Sequence, residues 1–248
     1  MDQHNIMITA LCLYTAASFI YFFQAKITGS ILMIMGIAFN VFGLISRGYI
    51  EDMWFFDLMA DEVLALPAFL ALIPIVLFFK NSKSQGRITL IPLVICSLIA
   101  FLPNTTTALP ALKSQVFVAP AFFLSESMSI AFFIAAGALA LAALLFKQET
   151  EETFMKCILW GFVIFTICQI LGAAWAFLGW SYPFSWSGRH LASASAWCLY
   201  AALLHSGYAR IHTRTKALCT VLGLVPIFFI VFFHELSHLL LLLAGKNV

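Results

Sequence analysis

The sequence has 248 residues, of which 63% are hydrophobic and 10% are charged, and its mean hydropathy is +1.01. A soluble domain of this length cannot hide so much apolar surface from water, so the composition excludes a soluble globular protein and predicts an integral membrane protein. The formal net charge is only +2, and the cations are scattered between apolar runs. This pattern argues against nucleic-acid binding and indicates membrane lipid as the surrounding partner.

Apolar runs recur along the chain at lengths that suit a hydrocarbon layer about 30 Å thick. They lie at about 6–24, 29–46, 62–79, 88–103, 117–146, 157–178, 192–208 and 217–243. No low-complexity linker divides them. The fold class predicted is therefore all-α: a polytopic bundle of about eight transmembrane helices in a single membrane domain over residues 1–248.

The distribution of lysine and arginine predicts an orientation for this bundle. If the first helix enters from outside, the inner connections hold Lys26, Lys80, Lys83, Arg87, Lys147, Lys156, Arg210, Arg214 and Lys216, against Arg47, Lys113, Arg189 and Lys246 outside. Cytoplasmic connections carry the excess of basic residues in membrane proteins. The loop between helices six and seven and both termini are therefore expected on the external side.

A tryptophan-rich segment, GAAWAFLGWSYPFSWSGRHLASASAWCLYAALLH, runs over residues 172–205. Its loop, at 175–191, holds Trp175, Trp180, Phe184 and Trp186, and Trp197 follows. One interpretation is a belt of aromatic anchors at the membrane interface. The other is an aromatic platform for a large planar ligand such as a porphyrin, because ring faces stack on one another.

These residues resemble the WWD domain of the CcsA/CcmC/CcmF family, the haem-handling membrane proteins of cytochrome c assembly. Trp180, the run Phe184-Ser185-Trp186, and Trp197 fall at the family's tryptophan positions, and His205 falls on a transmembrane histidine that follows the loop. The lead-in matches at Gly172, Ala173, Trp175 and Ala176, and a second match is the segment 109–114. The resemblance covers roughly residues 30 to 216 and is strongest in the loop.

The chain also departs from the family pattern. Ser187 replaces the aspartate that names the motif, Pro120 replaces an external histidine, and Asn40 replaces a histidine of the second helix. The last external histidine would fall near Leu242, although His234 and His238 precede it. Asn40 cannot ligate iron as imidazole does, but its amide can hydrogen-bond to a propionate, a water or a quinone carbonyl.

The resemblance implies non-covalent binding of b-type haem, with His205 as a ligand, in a bacterial inner (cytoplasmic) membrane. It also implies a partner subunit of cytochrome assembly and an apocytochrome, to which haem is presented on the external face. The departures favour an alternative, a haem- or quinone-binding anchor subunit that transfers electrons to an external c-type cytochrome. His205 and His234 are expected in opposite leaflets, so they cannot share one iron.

Glu126 lies about two turns into the fifth helix, with no basic residue adjacent in sequence. A carboxyl group buried there needs a partner or a proton. With Ser125, Ser127, His234 and His238 at a similar depth, Glu126 is predicted to complete a polar pocket under the loop. Arg189 and His190 end the loop and are predicted to meet haem propionates, since arginine pairs with carboxylates in a forked geometry.

Residues 234–238 read HELSH, which is the HExxH pattern of zinc hydrolases. In such enzymes both histidines bind zinc and the glutamate is the general base. Intramembrane site-2 proteases carry this pattern after an apolar run, so an intramembrane zinc hydrolase is a third hypothesis. A third zinc ligand would have to come from upstream, and His190 and Glu126 are the nearby candidates.

Overall fold

The computed structural model describes residues 3–23, 25–50, 59–80, 83–101, 118–146, 148–206 and 211–231. Regular structure in these ranges is helical throughout. The helices are α1 (Gln3–Phe22), α2 (Lys26–Ile50), α3 (Met59–Phe79), α4 (Lys83–Phe101), α5 (Val118–Phe146), α6 (Glu151–Trp180), α7 (Gly188–His205) and α8 (Thr213–Leu222). After Gly223, helical residues continue over 224–231.

Six of the helical segments described are long and apolar enough to cross a membrane, and the apolar part of α3, Val63–Leu77, is shorter. Large apolar side chains such as Phe19, Phe23 and Ile27 are exposed on the outer faces of the bundle. Such a surface indicates contact with lipid, because exposing so much apolar area to water is energetically unfavourable. The predicted all-α, polytopic membrane protein is thus confirmed.

Helix α5 lies at the centre of the bundle and contacts α3, α4, α6 and α8. Its buried positions are mostly small, including Ala131, Ala135, Ala136 and Ala140. Small residues let helix backbones approach closely, which is how helices associate in a membrane where lipid is as apolar as the interface. The position of α5 places its first half, with Glu126, beneath the connection between α6 and α7.

Helices α1 and α2 form a closely packed pair that also contacts α3 and α4. Two buried tyrosines of α1 hydrogen-bond to α2: Tyr21 with Ser30 at 2.6 Å, and Tyr14 with the amide of Asn40 at 3.4 Å. Buried polar groups need such partners in a membrane interior, where no water replaces them. Asn40 is therefore part of the α1–α2 interface.

Helices α6 and α8 are joined at the end of the bundle away from the α6–α7 connection. Glu151, in the first turn of α6, accepts a hydrogen bond from Lys216 at 2.8 Å and another from Thr213. The 30 residues of α6 span about 45 Å, more than the hydrocarbon thickness. The two ends of α6 therefore mark opposite sides of the bundle.

Several predicted helix boundaries differ from the structure, most clearly those of α6, α4 and α7. Helix α6 begins at Glu151 rather than 157, helix α4 at Lys83 rather than 88, and helix α7 spans 188–205 rather than 192–208. Hydrophobic runs omit the charged first turns of α6 and α4, although Glu151 and Glu152 suit the positive end of a helix dipole. Helix α7 ends early because the Ser206 N–H donates to Leu203 O, which tightens the last turn.

Candidate functional site

A cavity of about 690 Å³ lies where α6, the 181–187 connection and α7 meet the first half of α5. Its aromatic lining consists of Phe122, Phe123, Trp175, Trp180, Tyr182, Phe184 and Trp197. Sites for small molecules and cofactors typically measure about 300–1,000 Å³ and are largely apolar with a few polar groups. The tryptophan-rich segment therefore forms one wall of a space of ligand size.

The 181–187 connection is fixed at both ends by hydrogen bonds. At the end of α6, Ser181 has a φ of 63° and donates its N–H to Phe177 O at 2.8 Å. At the start of α7, the Ser187 hydroxyl caps the helix by accepting from the His190 N–H at 3.4 Å. Both arrangements satisfy backbone groups that a helix end leaves open, and they fix where the aromatic side chains between them lie.

Trp175 anchors the cavity wall in the bundle. Its ring is buried and stacks on Phe122 at a centroid distance of 5.8 Å, while Phe123 and Trp180 meet it edge-on at 5.6 and 5.3 Å. Gly172, one turn earlier on α6, makes this possible, since a Cβ there would lie 2.8 Å from a Phe122 ring carbon. The Trp175 indole N–H is buried with no hydrogen-bond partner among the described residues.

The other residues predicted to form the platform, Trp180, Phe184 and Trp186, lie at different positions relative to the cavity. Trp180 and Phe184 line the cavity and are each 45% exposed. Trp186 packs edge-on against Phe184 at 5.4 Å but is 83% exposed and does not line the cavity. The three rings therefore do not form one flat platform; two line the cavity, and the third projects from the surface beside it.

Glu126 and Arg189 form an ion pair between α5 and α7, 63 residues apart in sequence, with Oε2 and a guanidinium nitrogen 2.5 Å apart. The carboxyl side chain is 1% exposed and the guanidinium 22%. The other carboxylate oxygen, Oε1, is buried and has no hydrogen-bond partner among the described residues. The buried carboxylate is thus partnered by Arg189, which the sequence had placed against haem propionates, and both side chains line the cavity.

His190, in the first turn of α7, also lines the cavity. The hydroxyls of Ser185 and Ser187 lie 2.9 and 2.7 Å from its Nδ1, and its ring meets Phe184 edge-on at 5.4 Å. Burial lowers the pKa of His190, as does the charge of Arg189, while Glu126 raises it. The net effect favours the neutral imidazole, which is the form that binds a metal.

Trp197 forms the far side of the lining, on α7. Its ring packs against Phe162 of α6 at 5.4 Å, and its indole N–H donates to the Thr166 hydroxyl at 3.1 Å. Both contacts join α7 to α6. Trp197 therefore helps to hold together α6 and α7, which form two walls of the cavity.

The remaining candidate residues lie elsewhere. His205 is exposed at the last residue of α7, where its Nδ1 lies 2.7 Å from Ala201 O, and it does not line the cavity. Asn40 is buried between α1 and α2, also outside the cavity lining. His234 and His238 lie outside the described residues, so the HExxH hypothesis stays a prediction. Within the described ranges, no group of three or more His, Cys, Asp or Glu side chains could hold a metal.

Several lining residues were not predicted from the sequence. Phe122 and Phe123 face Trp175 from α5, and Ser185 and Ser187 fix the imidazole of His190. A helical repeat places Phe122 one turn before Glu126 on the same face, which was the available signal. The serines gave no such signal, because their role depends on how the loop folds.

Comparison with known proteins finds a distant similarity. No family model matches the chain. The chain is 32% identical over 82 residues to the cytochrome c biogenesis protein CcsA of Synechococcus sp. (strain CC9605), which is 33% of this chain and 27% of that protein. CcsA proteins of Prochlorococcus marinus (strain MIT 9303) and Parasynechococcus marenigrum (strain WH8102) are 32% identical over 81 residues, which is 32% of this chain and 26% and 27% of theirs.

The matched part therefore spans about a quarter of the length of the curated relatives. The similarity supports a distant relationship to CcsA proteins.

Proposed function

We propose that this protein is a haem-holding membrane protein of the cytochrome c assembly type, and that the cavity beside the 181–187 connection receives a non-covalently bound b-type haem. The observation that carries the proposal is a ligand-sized cavity with aromatic walls, formed by the same segment that resembles the WWD domain. The partial similarity to CcsA proteins supports the same class of function.

The residues of the cavity suit such a ligand. The aromatic rings that line the cavity present their faces and edges to the ligand, and ring stacking favours the binding of a flat porphyrin between them. The buried indole N–H of Trp175 lacks a partner among the described residues and is a donor for a propionate oxygen. The unpartnered Oε1 of Glu126 needs a donor in turn, which a propionic acid supplies if it keeps its proton.

In this proposal haem, when bound, supplies the redox-active iron and the vinyl groups to which a cytochrome's thiols add. The protein's own residues position and protect it. Trp175, held by Phe122 and Phe123, sets the depth of the site, and the Glu126–Arg189 pair ties α5 to α7 at its polar side. The apolar lining excludes water from the ligand.

The proposed setting is a bacterial inner membrane with the loop on the external side. There the exposed Trp186, beside the cavity, would meet an apocytochrome or the assembly partner subunit that presents it. Aromatic side chains of this kind are enriched at protein interfaces. His205 lies apart from the cavity, so any haem that it ligates in the bundle would be a second one.

A second candidate function is a quinol-oxidising or haem-bearing anchor of an electron-transfer complex. The observation that favours it is Glu126, which lines the cavity and whose Oε1 has no hydrogen-bond partner among the described residues, because such a carboxylate oxygen can accept a proton from a quinol. If the anchor oxidises quinol, the cavity would hold a quinone head group in place of haem.

Two adjacent alanines of α6 offer a matched test. Ala173 lines the cavity, whereas its neighbour Ala174 is exposed and does not. Haem added to the detergent-purified protein should bind saturably to the wild type. Ala173→Trp should weaken this binding at least about tenfold, or about 1.4 kcal/mol, by occupying space in the site.

Ala174→Trp adds the same side chain outside the cavity and should leave haem affinity unchanged. Thermal unfolding of both variants checks that they fold. Equal haem affinity in the two tryptophan variants would show that haem does not bind in the cavity. Binding of ubiquinone but not of haem by the wild type would favour the second candidate function.

A further inference from the structure

One imidazole, that of His190, lines the cavity among the described residues. The hydroxyls of Ser185 and Ser187 both lie within hydrogen-bond distance of Nδ1 of His190, at 2.9 and 2.7 Å. The backbone N–H of His190 donates to the Ser187 hydroxyl at 3.4 Å, and Phe184 covers one edge of the ring. The ring position is thus determined by the fold of the loop itself.

This arrangement matters chemically because the two ring nitrogens have separate roles. A metal-binding histidine almost always engages its second nitrogen with an oxygen, which fixes the tautomer and the orientation of the ring. Here both recorded side-chain hydrogen bonds fall on Nδ1. With the proton on Nδ1 and donated to a serine oxygen, Nε2 carries the lone pair that binds a metal.

We propose that Nε2 of His190 is the axial nitrogen ligand that the cavity offers to haem iron, with Ser185 and Ser187 as the residues that position it. This inference rests on the proposed function. It assigns to His190 a direct bond to iron instead of the contact with propionates predicted from the sequence.

The placement of the other histidines supports this assignment. His205 lies outside the cavity lining at the far end of α7, about 22 Å along the helix from His190. Among the described residues, the imidazole that lines the cavity is supplied by the first turn of α7, beside the capping Ser187.

The proposal also gives Ser187 a defined role. Its hydroxyl caps α7 and lies 2.7 Å from the imidazole, so one side chain sets both the start of the helix and the ring orientation. Loss of such a supporting partner typically lowers metal affinity about 10–100-fold. Ser187→Ala should weaken haem binding within that range, and Ser187→Thr, which keeps the hydroxyl, should restore it.

The test is haem reconstitution of detergent-purified wild type and His190→Ala, recorded as absorption and electron paramagnetic resonance spectra with and without free imidazole. We expect an imidazole-ligated spectrum for the wild type. His190→Ala should lose that spectrum and bind haem at least about tenfold more weakly, and free imidazole should restore the spectrum. His190→Gln, which keeps a hydrogen-bonding group near the serines, carries the test if the alanine variant fails to fold.

Each outcome separates the inference from the proposed function. If the wild type binds no haem, the proposed function fails. If His190→Ala keeps the wild-type spectrum and affinity, haem is ligated elsewhere, and the inference fails while the proposed function stands. A changed spectrum that imidazole does not restore would also overturn the inference, because the substitution would then act through structure.

Discussion

Removing Arg189 should leave a buried carboxylate without its charged partner. Glu126 is 1% exposed, and its ion pair with Arg189 joins α5 to α7. Truncating one member of a buried, hydrogen-bonded pair costs about 2–5 kcal/mol. Because Arg189 is 22% exposed and partly hydrated, we place Arg189→Gln at the lower end of that range, about 2–3 kcal/mol.

The reverse substitution should cost less. In Glu126→Gln the guanidinium can still reach solvent, whereas the carboxylate of Arg189→Gln cannot. The double variant, Glu126→Gln with Arg189→Gln, should recover most of the loss, since it leaves no buried charge. A double-mutant cycle should therefore give a coupling energy within about 0.5–3 kcal/mol.

The assay is thermal unfolding of the detergent-purified variants, followed by tryptophan fluorescence. For a chain of this size each kcal/mol shifts Tm by about 2–4 °C, so Arg189→Gln should lower Tm by about 4–12 °C. The matched control is Lys156→Gln, which breaks an ion pair with Glu152 whose members are 64% and 81% exposed. The control should have little effect. Equal Tm values for the two variants would refute the interpretation of the Glu126–Arg189 pair.

Three further predictions concern the same end of the bundle. Ser181→Gly should raise stability by up to about 1 kcal/mol, because Ser181 has a φ of 63° that glycine adopts without strain, and Ser181→Val should lower Tm. Thr166→Val should cost about 0.5–1.5 kcal/mol by removing the acceptor for the Trp197 indole, and it should cost much less in a Trp197→Phe background that lacks the donor; an equal cost in both backgrounds would contradict this role of the hydrogen bond. Stability should fall as pH drops below about 6.5, because the pKa of His190 is lowered in the folded state, so the unfolded chain binds more protons there. That part of the pH dependence should vanish in His190→Gln, and an unchanged Tm profile in this variant would contradict the assignment.

Much of the fold follows from the sequence, because apolar length and lipid determine which segments become helices. The long fifth helix, predicted at 117–146, is found at Val118–Phe146. Hydrophobic runs are poor predictors of where a helix begins and ends, because charged and capping residues determine the helix ends. Glu151 extends α6 at one end, and Ser187 starts α7 four residues before the predicted apolar run.

The candidate site was predictable in composition but not in geometry. The aromatic residues and Glu126 could be named from the sequence, because aromatic density and a lone acidic residue in an apolar run are both unusual. The pairing of Glu126 with Arg189 joins residues 63 positions apart, and it depends on how α7 packs over α5. The separation of Trp186 from the cavity and the serine contacts of His190 likewise depend on the conformation of one short loop.

Whether the protein holds haem can be decided by a pyridine haemochrome spectrum of the protein purified from haem-producing cells, combined with iron and zinc analysis of the same sample. The account predicts b-type haem, with iron matching the haem content and little zinc. Zinc in place of iron would support the hydrolase hypothesis for the HExxH segment. A protein that contains neither metal and binds no added haem would contradict the account.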